Sequence, residues 1–274
     1  MYKVSWKGLD VICFALPQLK FFEIASGGRE SIENVKVKFE TPNLLSLTWG
    51  GYLPKEFIVD SFPVLVEADI CYGFAEGYAK SRYDSLCKFT EKVSHVKHLT
   101  VSDTYFLPKV LDDSSVLPKS YHTFLNLTCL DVAFIDYGKI GSLFDIILQY
   151  SPNLTSLIFR QIMMYQEVGY DPLPLNIMPR CLLLSLKSVE FHKFDGHPKE
   201  MEVVQLFLES ARVLQTMTLG SLSYHLEELN KKKPTAKEVD DANNEILEQL
   251  QAFSWASADC VVKFLSPDFK ILRL

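Results

Sequence analysis

Pro152-Asn153-Leu154-Thr155-Ser156-Leu157-Ile158-Phe159 carries an apolar-x-x-apolar-x-apolar phrase, with Leu154, Leu157 and Phe159 at its apolar positions. The phrase returns upstream as Leu19, Phe22, Ile24; Leu44, Leu47, Trp49; Leu65, Ala68, Ile70; Val96, Leu99, Val101; and Leu127, Leu130, Val132. Downstream it reads Leu186, Val189, Phe191 and then Leu214, Met217, Leu219. Pro-x-Leu introduces several of these units, at Pro17-Gln18-Leu19, Pro42-Asn43-Leu44, Pro63-Val64-Leu65 and Pro152-Asn153-Leu154. Proline fixes the turn ahead of the strand, and its missing N–H is tolerated at a strand's first residue.

The last two apolar positions of each phrase are two residues apart, so in a strand they share one face while the residues between them share the other. One half-buried strand cannot cover its own apolar face, but stacked neighbours can. About eight units at spacings of roughly 21 to 32 residues overlap and exceed the leucine-rich-repeat range. The expected fold is therefore α/β: a leucine-rich-repeat solenoid, or horseshoe, with a parallel sheet and irregular helices on its convex side. The Asn or Cys of regular repeats is largely replaced, for example by Tyr52, Ile135, Ile162 and Phe194. Degenerate repeats and uneven curvature follow.

Helical spacing falls between the strands. A Ser-x-x-Asp signal at Ser142 and Asp145 opens a short helix that stops before Pro152. A second helix is expected from Pro198 to about Arg212, with Met201, Val204, Leu208 and Ala211 on one face. In a third, Thr235 and Glu238 form a capping box ahead of an apolar stripe at Val239, Ala242, Ile246, Leu250 and Phe253. Its other face, with Asp240, Asp241, Asn243, Asn244 and Glu248, is expected in water.

Composition narrows the function. The chain has 274 residues, 48% of them hydrophobic and 12% aromatic, enough for a continuous core. Its 28 basic and 34 acidic side chains give a net charge of -6, the wrong sign for steering towards phosphate backbones, so no nucleic-acid partner is expected. Residues Met1 to Asp10 lack the pattern of a secretory signal, and no apolar run reaches spanning length. No membrane partner and a cytoplasmic or nuclear location are the expectation. Six scattered cysteines without a C-x-x-C pair read as reduced thiols. The acceptor patterns at Asn126 and Asn153 place a core Leu at their centre, which argues against glycosylation.

Met178-Pro179-Arg180-Cys181-Leu182-Leu183-Leu184-Ser185-Leu186-Lys187-Ser188-Val189-Glu190-Phe191 resembles the opening of the FBD domain of plant F-box/LRR-repeat proteins. Phe194-Asp195-Gly196-His197, Phe207-Leu208-Glu209-Ser210-Ala211 and the closing Cys260-Val261-Val262-Lys263-Phe264-Leu265 are similar to the same domain. Leu16-Pro17-Gln18-Leu19-Lys20 and Val93-Ser94-His95-Val96-Lys97-His98-Leu99 resemble that family's repeats. The resemblance implies leucine-rich repeats over 1–177 and, over 178–274, an FBD-like region that continues the solenoid. It also implies recognition of a protein substrate for a ubiquitin ligase. The family's F-box, which docks on a Skp-type adaptor, has no counterpart in the sequence, so such an adaptor is expected as a partner only with an F-box upstream. A free-standing interaction scaffold or decoy is the alternative.

Chemistry-bearing patterns are few. His95-x-x-His98 has no Cys or carboxylate at ligand spacing, so no metal is expected. Gly27-Gly28 and Gly50-Gly51 lack a phosphate-loop context and read as turns, and Lys231 to Lys233 as a solvated loop. With no nucleophile-and-base spacing, neither an enzyme nor a cofactor is expected. The binding surface expected instead is the concave sheet face, read off the outward phrase positions: Glu23, Thr48, Glu67, Asp69, His98, Asp131, Ser156, Arg160, Glu190 and His192. Five acids against one arginine there favour a basic partner.

Overall fold

The computed structural model describes residues 8–26, 32–72, 88–101, 123–163, 178–220, 235–264 and 270–272. Gly27-Gly28 and Lys231 to Lys233 lie outside them. The chain divides into two compact units, Met1–Leu127 and Thr128–Leu274.

Seven of the eight phrases open on a turn in which the first apolar residue donates its N–H three residues back; Leu186 instead donates to Cys181. Leu19 donates to the Leu16 carbonyl at 3.1 Å, Leu44 to Thr41 at 3.2 Å, Leu65 to Phe62 at 3.2 Å and Leu154 to Ser151 at 3.2 Å. Pro17, Pro42, Pro63 and Pro152 occupy the second position of these turns, where a φ near -65° is already the required one. The chain then enters a strand whose first amides hydrogen-bond to the preceding repeat: Leu45 and Ser46 share the Lys20 carbonyl, and Val66 and Glu67 share that of Leu45.

In the first unit, β2 (Phe21–Ser26), β4 (Ser46–Gly51), β6 (Glu67–Tyr72) and β7 (His98–Val101) form a parallel ladder. Residues Leu44, Leu47, Trp49, Leu65, Ala68, Ile70, Val96, Leu99 and Val101 are buried, as the phrase requires. Residues 88–93, ahead of β7, are helical, but the segments before β2, between β2 and β4 and between β4 and β6 are strands. They supply a second parallel sheet of β1 (Val11–Ala15), β3 (Lys36–Glu40) and β5 (Glu56–Val59). Alternation explains the difference: Val37 and Phe39 are buried while Lys36 and Lys38 are not, a period of two that no helix satisfies. Aromatic rings fill the space between the sheets; Phe39 stacks on Phe14 at 5.6 Å and meets Phe22 edge-on at 5.3 Å. Gly50-Gly51 ends β4 instead of forming a separate turn, with Gly51 at φ 99.

The second unit is built as expected, with helices between strands. Parallel strands β8 (Cys129–Val132), β10 (Ser156–Met163), β11 (Ser188–Lys193), β12 (Thr216–Leu219) and β13 (Val261–Phe264) pair in that order, and β14 (Lys270–Leu272) closes them antiparallel. Short β9 (Ile135–Asp136) pairs with the end of β10. Leu130, Val132, Leu157, Phe159, Val189, Phe191, Met217 and Leu219 are all buried. So are Ile135, Ile162 and Phe194, the apolar replacements for the usual Asn or Cys.

Three helical segments match the sequence reading in place but not in every detail. The first starts earlier than Ser142: Asp136 accepts the Gly138 N–H at 2.8 Å and caps a 3-10 turn at Tyr137–Lys139, followed by α1 (Ile140–Leu143) and a π turn at Phe144–Leu148. After the short α2 (Arg180–Leu184), α3 (Pro198–Ser210) buries Met201, Val204 and Leu208, with Ala211 buried just beyond its end. In α4 (Ala236–Gln251) the Thr235–Glu238 capping box is present, and Ile246 and Leu250 are buried. Asn243 is a correction, because it is buried and not in water. It sits three and seven residues before Ile246 and Leu250, which places it on their face.

Candidate protein-binding surface

Parallel register lines up the outward positions of successive repeats as rows, about 4.8 Å apart from strand to strand. In the first unit one row runs Glu23, Thr48, Asp69, Thr100, and the next contains Ser46, Glu67 and His98. Glu23, Glu67 and His98 are exposed, Thr48 and Asp69 half-buried. His98 Nδ1 lies 3.3 Å from Glu67 Oε1, so this histidine faces a carboxylate. His95, its partner in the His-x-x-His pattern, instead holds its Nε2 buried without a hydrogen bond. Neither Lys nor Arg occurs in these two rows, so the carboxylates of Glu23 and Asp69 have no fixed cation in their row.

The second unit carries the remaining positions. Asp131, Ile158, Glu190, Thr218 and Lys263 align in one row, Cys129, Ser156, Ser188 and Thr216 in another. Arg160 reaches from β10 to Asp131 on β8, with its Nη2 2.7 Å from Oδ2. His192 Nε2 stands 3.4 Å from Glu190 Oε2 on the same strand. The acid excess expected over the whole set is thus unevenly shared: in this unit Arg160 and Lys263 balance Asp131 and Glu190, while in the first unit three acids stand with only His98. Thr100, Ile158, Thr218 and Lys263 were missed by the sequence reading. Thr100, Ile158 and Thr218 lie between the last two apolar positions of their phrases, where the same positional rule finds them; Lys263 lies between Val262 and Phe264 on β13, which has Asp259 where the phrase needs an apolar residue.

Other titratable groups are structural. Glu200, in the first turn of α3, is buried and accepts the N–H groups of Asp195 at 2.9 Å and His197 at 3.1 Å. Gly196, at φ 69, lets the loop wrap around that carboxyl. Burial pushes Glu200 up to about 7, and the amide hydrogen bonds offset only part of that rise. Tyr137 donates to Glu202, which also accepts from Lys199 at 2.8 Å, and burial leads the upward shift of the phenol. Burial likewise pushes the Cys181 thiol up to about 12 and Cys260 to about 11, which leaves both poor nucleophiles. Among the described residues no group of three His, Cys, Asp or Glu could hold a metal ion, and no helix is long and apolar enough to cross a membrane.

Comparison with known proteins adds the family. The FBD model matches residues 174–219, which contain β11, α3 and β12. An FBD-associated F-box protein of Arabidopsis thaliana is 30% identical over 190 residues, covering 67% of this chain and 39% of the relative. F-box/LRR-repeat protein 13 of the same plant is 29% identical over 212 residues, 73% of this chain and 45% of the relative. An F-box/FBD/LRR-repeat protein, also from Arabidopsis thaliana, is 27% identical over 209 residues, 73% of this chain and 44% of the relative. The chain spans less than half the length of these curated relatives. No solved structure matches it. The FBD segment and the relatives matched over the strands that lead into it support a plant F-box/FBD/LRR-repeat family for this chain.

Proposed function

We propose that this chain is the protein-binding, substrate-recognition region of an F-box/FBD/LRR-type ubiquitin-ligase adaptor acting in the cytoplasm or nucleus. In this reading the strand phrases are degenerate leucine-rich repeats of a solenoid, and residues 178–274 continue the array begun upstream. Pairing of β11 with β10 in the same ladder supports that continuity, since β10 lies outside the FBD match. The observation that carries the reading is the row Glu23, Thr48, Asp69, Thr100 beside Glu67 and His98, polar positions held in register by a buried ladder. Such a rigid, cation-poor strip favours a basic partner segment, with association weakening as salt rises. A Skp-type adaptor joins only a chain that also carries an F-box.

Proximity labelling in plant cells tests the reading, with the wild type compared with Glu23→Lys/Glu67→Lys. A true substrate is enriched by the wild type, loses enrichment with the variant, and accumulates when cullin ligases are inhibited. Enrichment that survives both substitutions, or a partner whose turnover ignores the ligase, would sink the proposal.

A further inference from the structure

Resting on the reading of the first unit's strip as a binding surface, we propose that its partner engages it through an arginine side chain, laid in a groove over β4 with the guanidinium between Glu23 and Asp69. A basic partner is thereby narrowed to one that presents arginine, not lysine, at this position.

Register and side-chain size make the groove. The outward positions of β4 are Ser46, Thr48 and Gly50, a floor of small groups. Phe21 and Glu23 of β2 stand along one side of it, Glu67 and Asp69 of β6 along the other. Each wall residue is paired with the floor: Phe21 and Glu67 with Ser46, Glu23 and Asp69 with Thr48. The three floor residues are half-buried, whereas Phe21 is 70% exposed and Glu23 and Glu67 are exposed beside it. Floor and walls alike belong to strands paired in one ladder, so the groove is a property of the open sheet face and not of its edge.

Charge and spacing select the occupant. The wall carboxylates meet no Lys or Arg in their rows, and Glu67 has only His98, at 3.3 Å. Asp69 Oδ1 is buried and accepts no hydrogen bond, so it lacks the donor that buried acceptors normally have. Thr48 separates Glu23 from Asp69 by two strand spacings, about 9.6 Å between Cα atoms. A guanidinium donating from two of its nitrogens at about 2.8 Å on either side joins carboxylate oxygens roughly 8 Å apart, a compact ammonium only about 5.6 Å apart. The first span nearly matches the separation of the walls; the second falls about 4 Å short of it. Arginine also lays its planar head and apolar stem on aromatic rings, and Phe21 stands beside Glu23 on the same wall to receive them.

Fluorescence anisotropy of labelled hexa-arginine and hexa-lysine, each titrated with the full chain at the same ionic strength, measures the preference. The wild type is expected to bind hexa-arginine at least about tenfold more tightly. Glu23→Gln/Thr48→Asp keeps the net charge but moves the carboxylate one strand closer to Asp69 and raises the floor. That variant is expected to bind the two peptides within about twofold of each other. Glu23→Gln alone, at an exposed side chain, is expected to do the same and serves if thermal melting shows the double variant unfolded. Equal affinities in the wild type, or an arginine preference that survives in either variant, would overturn the proposal while leaving a basic partner in place. Binding of neither peptide would remove the strip as a binding surface for cations, and the proposal with it.

Discussion

Arg160 holds Asp131 across neighbouring strands with its Nε 2.9 Å from Oδ1 and 3.0 Å from Oδ2 and its Nη2 2.7 Å from Oδ2. The Asp131 side chain is 14% exposed and the Arg160 side chain 47%, so solvent screens this pair from one side. Exposed ion pairs contribute about 0–1 kcal/mol, and a geometry with several short contacts belongs at the upper end. A double-mutant cycle with Asp131→Ala and Arg160→Ala is expected to give a coupling of about 1 kcal/mol that shrinks in high salt. A coupling indistinguishable from zero at low salt would remove the pair from the energetics of the second unit. The pair also bears on binding, since Asp131 is engaged within the sheet and is a weaker candidate for a partner cation than Glu23.

Much of this was legible because a repeat states its rule many times. The rule that buries Leu154, Leu157 and Phe159 also buries Leu214, Met217 and Leu219, sixty residues on. Local exceptions were less legible. Lys36-Val37-Lys38-Phe39-Glu40 alternates in a strand period, but Asn34 stands where the phrase needs an apolar residue, so the repeat rule does not name this strand. Asn243 fell on the wrong side because polarity alone assigned its face, against its three-residue spacing from Ile246. For the candidate surface, the phrase named outward positions one strand at a time. Which charges meet depends on register and on long side chains such as Arg160, and neither is visible in a single strand.

Asn43 shows a function for the Pro-Asn-Leu turn that spacing does not reveal. Its Nδ2 donates to the Pro17 carbonyl at 2.8 Å, and Asn126 donates likewise to His95 at 3.2 Å, each joining one repeat's turn to its predecessor. A single hydrogen bond of this kind contributes about 0.5–1.5 kcal/mol. Asn43→Ala is expected to lower the stability of the first unit by about 1 kcal/mol in denaturant unfolding. Asn43→Asp, which keeps the size but loses the donor, is expected to cost at least as much; an aspartate as stable as the wild type would show that the donor contributes nothing.

Gly220 is required where β12 ends against β11. A Cβ built there would stand 1.9 Å from the His192 carbonyl oxygen and 2.9 Å from that of Phe191, both of them backbone. The Gly220 amide also donates to Phe191 at 2.6 Å, so the two segments cannot separate without losing that bond. Overpacking of a tight interior costs about 1–3 kcal/mol. Gly220→Ala is expected at the top of that range, whereas Gly141→Ala, with no atom within 4 Å of the new carbon, serves as a matched control with little effect. Equal melting temperatures for the two variants would contradict the close approach.

Glu200 makes the stability of the second unit depend on pH. Its carboxyl is pushed up to about 7 in the fold, chiefly by burial, from an ordinary value of 4.5. Between those values the folded chain keeps a proton that the unfolded chain has released, so the stabilising contribution is full below 4.5 and is lost as pH rises through 7. At 1.36 kcal/mol for each pH unit of difference, the loss amounts to about 3 kcal/mol. Glu200→Gln does not titrate, and its amide oxygen can still accept from the Asp195 and His197 amides. Denaturant unfolding of both proteins from pH 4 to 8 separates this group from all others, because their shared titrations cancel in the difference. The wild type is expected to lose stability relative to Glu200→Gln as pH climbs from about 4.5 to 7, and to hold a constant offset above that. Parallel curves across the window would mean that Glu200 binds protons alike in the folded and unfolded chain, with the loop amides cancelling the effect of its burial.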